Sequence, residues 1–172
     1  MLRSSDLRAI AVLPGTALII VPALLLWLAR DTFWGGHFVP WSGPLFWLAL
    51  AVGAAGLALF IWTVWLFRRR GEGTLAPWDP PKRLVVSGPY RHVRNPMIAG
   101  VLFMLLAEAV LFNSLAVFLW ALVFFLANTL WFALYEEPSL ARRFGDDYLR
   151  YKAHVRRWLP RATPWLGGPA PD

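Results

Sequence analysis

Between Ala9 and Ala29, and again between Thr32 and Phe67, the chain contains no Asp, Glu, Lys or Arg. Runs of that length suit helices of about 20 residues crossing a hydrocarbon core of roughly 30 Å. In lipid the backbone must satisfy its own hydrogen bonds, which favours helices over open strands. Composition agrees. Of 172 residues, 58% are hydrophobic and 16% charged, and the mean hydropathy of +0.51 lies outside the range of ordinary soluble domains. Residues 1–67 are therefore expected to form two membrane helices. The first is too long and too poorly flanked for a cleaved signal peptide, so it should remain as a span. Pro14 and Pro22 each remove a backbone donor within it and should bend it.

The second half reads as a helical hairpin over residues 96–135: Pro96 to Phe112 outward, a turn at Asn113-Ser114, and Leu115 to Tyr135 returning. Its first arm, at roughly 17 residues, is near the short limit for a span. The small residues Ala49, Gly53 and Gly56 form a face that lets another helix approach closely, and internal packing is preferred here to dimerisation. Residues 68–95 are too rich in Gly and Pro for a long helix and read as a cytoplasmic loop, with Leu84-Val85-Val86 extended and Ser87-Gly88-Pro89 turning. In the tail, residues 136–172, Leu140, Phe144, Tyr148, Tyr151, Val155 and Trp158 recur at helical spacing among charged residues. This predicts an amphipathic helix at the cytoplasmic membrane surface, with a bend at Gly145. The expected fold is one all-α integral membrane domain, 1–172, with about four transmembrane helices and this C-terminal amphipathic helix.

Basic residues precede the first span (Arg3, Arg8) and crowd the middle loop and the tail, whereas Arg30 alone lies at the opposite end. By the retention of Lys and Arg on the cytoplasmic side, both termini and the middle loop should face the cytoplasm. The formal charge is +7. Because it sits beside membrane spans, anionic headgroups are the expected partner and nucleic acid is not. With no cysteine, disulfides, thiolate metal sites and cysteine nucleophiles are excluded. Oligomeric state is not legible.

Within this greasy chain, Gly88-Pro-Tyr-Arg-His-Val-Arg-Asn-Pro96 is answered by Glu136-Glu137-Pro138, one at each end of the hairpin. A carboxylate near lipid is costly unless paired or solvated. Adjacent glutamates on a helix point roughly 100° apart, so one should face the bundle and the other water or the tail. Pro138 should bias Glu137 out of the helical region. Arg91, His92 and Arg94 supply cations and hydrogen bonds, and arginine grips carboxylates through two parallel bonds. That carboxylate is either Glu136 or Glu137, giving a structural ion pair, or one belonging to a zwitterionic ligand. Glu108, inside the third span, should face the bundle or a polar cavity. His37 reads as a loop residue.

The segment Gly88 to Pro96, Gly100, the hairpin, Glu136-Glu137-Pro138 and Phe144-Gly-Asp-Asp-Tyr148 with Tyr151 and Val155 occur in that order. Together, over about residues 82–161, they resemble the isoprenylcysteine carboxyl methyltransferase and phospholipid methyltransferase superfamily. The resemblance implies an integral membrane enzyme using S-adenosylmethionine. It implies that Tyr90, His92, Arg94, Asn95, Pro96, Gly100, Glu136 and Glu137 enclose this cofactor, with Tyr148 and Tyr151 of the tail closing over it. Arg94 and Glu137 are the expected catalytic pair. Where the family often carries a tyrosine this chain has Ile98, so no hydroxyl contact is available there.

The chemistry is compatible with these residues. S-adenosylmethionine carries a sulfonium, an amine and a carboxylate, so its pocket needs both signs of charge. Methyl transfer is an in-line displacement in which alignment and exclusion of water do much of the catalysis, and it requires no metal. A carboxylate acceptor attacks directly. A protonated amine must first lose a proton, for which His92 and His154 are candidates, His154 being the one taken as catalytic. The expected function is methyl transfer to a lipid-soluble or isoprenoid-type acceptor at the cytoplasmic face, by carboxyl O-methylation or phospholipid N-methylation. The competing readings are a non-enzymatic four-helix scaffold or small transporter and, with less support, an NADPH-dependent membrane reductase.

Overall fold

The computed structural model describes residues 14–70 and 83–167. Arg3, Arg8, Lys82 and the glycines and prolines of 71–81 lie outside the described residues. Among the described residues five helices follow one another: α1 (Thr16–Ala29), α2 (Pro44–Arg70), α3 (Pro96–Leu111), α4 (Leu115–Trp131) and α5 (Glu137–His154). A short 3₁₀ turn, Gly88–Arg91, precedes α3. No strand occurs among the described residues. Two helical runs are long and apolar enough to cross a membrane, Pro44–Arg70 and the continuous run Leu115–His154, while Thr16–Ala29 and Pro96–Leu111 are apolar but shorter. Only 11% and 17% of the most apolar windows of the two long runs are buried. A soluble core helix would be enclosed, whereas Trp27, Trp47, Ile61, Leu130 and Leu134 are exposed here. Apolar surface on that scale suits lipid rather than water.

Proline shapes two of these helices in the same way. The first turn of α1, Thr16–Ile20, is π-helical and directly precedes Val21-Pro22; a second π turn, Phe132–Glu136, directly precedes Glu137-Pro138. In a regular α-helix a proline ring meets the carbonyl four residues back. The wider π turn moves that carbonyl aside and bonds the N–H of Val21 to Thr16 and that of Glu137 to Phe132. The bias expected at Glu137 is accordingly overturned: its backbone is helical, at φ −62° and ψ −41°. The hairpin turn falls where it was expected, with Asn113 at φ 43°. Gly145, at φ 53° and ψ −131°, divides α5 at the expected bend.

The chain packs as two compact units. One holds the described residues 14–58 and 100–127. Its interior includes Val101, Leu105, Val117 and Ala121, and Trp120 Nε1 donates to the Ala17 carbonyl at 2.9 Å. The small-residue face of α2 is used internally: a Cβ on Gly56 would stand 2.7 Å from the Gly100 carbonyl and 2.9 Å from Phe103 Cβ. Glu108 is half-buried in this unit, and its Oε2 is buried without a hydrogen-bond partner.

The other unit holds the described residues 59–70, 83–99 and 128–167. Gly88, at φ +54°, leaves no room for a side chain, since a Cβ would lie 2.7 Å from Leu66 Cδ1 and 3.3 Å from the Trp62 ring. This seats the 3₁₀ turn on α2. The apolar face of α5 packs on the chain itself: Tyr148, Tyr151 and Val155 join Val86, with Leu84, Leu140, Phe144 and Trp165 around them. The amphipathic helix expected here is present, and its apolar face is covered by the chain itself. The periodicity registered an apolar face, and the loop before α3 covers it.

Candidate functional site

Where the apolar run ends at Tyr135, the two glutamates diverge as adjacent helical positions must. Glu136 is exposed, whereas Glu137 retains 5% of its exposure. Three cations surround the Glu137 carboxylate. Arg94 Nη1 lies 3.0 Å and Arg157 Nε 2.7 Å from Oε1, and Lys152 Nζ lies 2.9 Å from Oε2. Burial pushes the Glu137 carboxyl up, but hydrogen bonds from Arg157 and Lys152 and the charges of Arg94 and Arg157 hold it below its ordinary value of 4.5. It is ionised near neutrality. One carboxylate thus faces three positive charges, leaving the cluster net cationic.

Arg94 is held at several points. Its backbone N–H donates to the Arg156 carbonyl at 3.0 Å, and Nη1 also donates to the Tyr148 hydroxyl at 3.2 Å. Its Nε is buried without a partner, as is Nδ2 of the neighbouring Asn95. Buried donors with nothing to donate to, here on two consecutive residues, are uncommon in native interiors. Pro96 is fully buried at the first position of α3, where its missing N–H costs nothing.

The tail beyond α5 returns along this segment as a strap. Arg161 N–H donates to the His92 carbonyl at 2.9 Å, and Trp165 N–H to the Arg91 carbonyl at 3.0 Å. His92 Nδ1 lies 2.8 Å from the Arg161 carbonyl oxygen. A carbonyl only accepts, so this contact puts a hydrogen on Nδ1; in the neutral imidazole the lone pair then lies on Nε2. His154 makes the equivalent contact with the Arg150 carbonyl, also at 2.8 Å, is exposed, and stacks on Trp165 with ring centroids 5.7 Å apart. Its contacts are with the end of α5 and the strap, not with the Glu137 carboxylate.

Tyrosines fill the space beneath. The Tyr151 hydroxyl donates to the Tyr90 carbonyl at 2.7 Å, and the Tyr148 and Tyr151 rings meet edge to face at 6.4 Å. Burial raises all three phenols, Tyr148 to about 12 with the Glu137 charge adding to the effect and Arg94 opposing it. At neutral pH they remain protonated donors and cannot serve as bases.

Of the residues expected at the site, the structure gathers Arg94, Asn95, Glu137, Tyr148, Tyr151, Tyr90 and His92 in one unit, with Glu136 exposed beside them in sequence. Gly100 belongs to the other unit, against Gly56. Sequence reasoning missed Lys152 and Arg157 as partners of Glu137. They read as ordinary charges of a basic tail, and no periodicity links positions 15 and 20 residues past a glutamate.

A family described as "Phospholipid methyltransferase" matches residues 44–147, from the start of α2 to just before Tyr148. An "Uncharacterized protein" of Haemophilus influenzae is 44% identical over 64 residues, which is 37% of this chain and the full length of that protein.

Proposed function

Since the chain belongs to the phospholipid methyltransferase family, we propose that it is an S-adenosylmethionine-dependent methyltransferase acting at the cytoplasmic membrane face on a lipid-soluble or isoprenoid-type acceptor. Phospholipid N-methylation and carboxyl O-methylation are the two reactions this reading allows. The carrying observation is the buried, unpartnered Arg94 Nε in a cluster whose cations outnumber its carboxylate, followed in sequence by a second buried, unpartnered donor, Asn95 Nδ2. Such a cluster fits an anionic group, and the cofactor's carboxylate is one. Glu136, which accepts from the Trp131 side chain and feels the Arg143 charge, is the carboxylate offered to the cofactor's positive end.

When bound, the cofactor supplies an activated methyl group. The chain's own residues then bind and orient. Arg94 and Asn95 hold the carboxylate end, while the buried phenols of Tyr148 and Tyr151 keep water from that side. Glu137, with both oxygens occupied by cations, anchors Arg94 rather than touching the reacting atoms. If the acceptor is an amine, His92 accepts its proton at Nε2, with Nδ1 committed to the Arg161 carbonyl.

The test is calorimetric binding of S-adenosylmethionine and S-adenosylhomocysteine to the purified protein in nanodiscs. Saturable binding of both is expected. Asn95→Ala should weaken it about fivefold, the worth of one hydrogen bond, and Arg94→Ala by about 30-fold or more. Arg157 and Lys152 still neutralise Glu137 in the Arg94 variant, so its fold should survive. Absence of binding by folded wild-type protein would replace this reading with the scaffold or transporter one.

A further inference from the structure

Arg157 lies ten residues beyond the end of the family match, which stops at residue 147. Its guanidinium makes two contacts at once: Nε donates to Glu137 Oε1 at 2.7 Å, and Nη1 donates to the Thr129 carbonyl at 3.2 Å. Thr129 belongs to the last turn of α4 and Glu137 opens α5, so the side chain bridges the π turn Phe132–Glu136 between them. The oxygen that Arg157 grips is also the one that Arg94 Nη1 contacts at 3.0 Å. The directions of Arg157, the Glu137 carboxylate and Arg94 are therefore coupled through one atom.

Resting on the methyltransferase reading above, we propose that Arg157 is a positioning residue of the cofactor site, a brace across the π turn that fixes the Glu137 carboxylate and thereby holds Arg94 with its Nε free for an anionic ligand group. A π turn is a single wide turn set between two α-helical runs, and a side chain bridging it from outside holds the residue at its end in one orientation. Arginine meets this need because its planar fork offers several donors in fixed geometry. Lys152 does not duplicate it. The ammonium is a single point of charge on Oε2 and its side chain is 46% exposed, against 22% for Arg157. Lys152 adds neutralising charge without spanning the turn.

A merely structural arginine and a positioning arginine differ in how their loss combines with a change at Arg94. The experiment is a double-mutant cycle, read as S-adenosylhomocysteine affinity by calorimetry in nanodiscs, on the full chain carrying Arg157→Gln, Arg94→Lys, or both. Thermal unfolding of each variant reports folding. Arg157→Gln should weaken binding about tenfold in the wild-type background, as expected for the loss of a charge-assisted bond, and less than about twofold in the Arg94→Lys background. An equal loss in both backgrounds, or no loss in either, overturns the brace. If Arg157→Gln does not fold, Arg157→Lys enters the same cycle. It keeps the charge and loses the fork, and is held to the same inequality. Folded wild-type protein that fails to bind the probe sinks the methyltransferase reading and the brace with it, whereas wild-type binding with additive losses sinks the brace alone.

Discussion

Glu137 retains 5% of its exposure and meets three cations. Removing this carboxylate costs about 1–3 kcal/mol, because Arg94 and Arg157 stay mostly buried without their counter-ion while the half-exposed Lys152 is solvated. Glu137→Gln should therefore lower the thermal midpoint in detergent substantially. A midpoint within a degree or two of wild type would show that water already solvates the three cations. The pH dependence has a definite sign. The folded carboxyl titrates below its ordinary 4.5, so its contribution to stability is complete above that unfolded value and disappears as pH falls through the lowered folded one. The wild-type midpoint should drop in that acid range more steeply than that of Glu137→Gln. Matching acid profiles would reject this linkage.

At the scale of elements, two glycines illustrate different constraints. Gly56 is limited by space, since any Cβ would press on the Gly100 carbonyl. Gly145 has nothing within 4 Å of where a Cβ would stand, and its constraint is its backbone, at φ 53° and ψ −131°. Gly145→Ala should consequently cost about 1–3 kcal/mol despite the open surroundings, because only glycine adopts that conformation readily. An unchanged unfolding midpoint for Gly145→Ala would mean that α5 straightens without loss. The π turns before Pro22 and Pro138 follow similar logic, with the backbone accommodating a proline ring by widening the preceding turn rather than ending the helix.

For the whole molecule, the distribution of apolar surface is the deciding property. Large side chains such as Trp27, Trp47 and Leu130 point outward, while the smaller Val101, Val117 and Ala121 are buried. That pattern gives little stability in water and is well satisfied in lipid. The chain should remain in the bilayer after alkaline carbonate extraction and come out only with detergent. Release into the carbonate supernatant would contradict membrane integration. The strap contributes at this same scale, since Arg156, Arg161 and Trp165 each bond to the backbone of residues 91–94 from more than 60 positions away.

Local chemistry was enough for much of this to be legible in the sequence. Charge-free runs announce apolar helices, Asn113-Ser114 a turn and Gly145 a bend, and adjacency alone puts one of Glu136 and Glu137 inside and the other out. The family resemblance drew attention to Arg94, Asn95 and Glu137, which the structure holds in one unit. What tertiary structure decided depends on residues distant along the chain. The apolar periodicity of α5 did not say that Val86 and Trp165 would cover it, and the rule for residues before proline did not foresee a π turn that keeps Glu137 helical. Lys152 and Arg157 carried no local signal of their destination. Their charges are like those of their neighbours, and only the fold of α5 and the strap brings these two to one buried carboxylate.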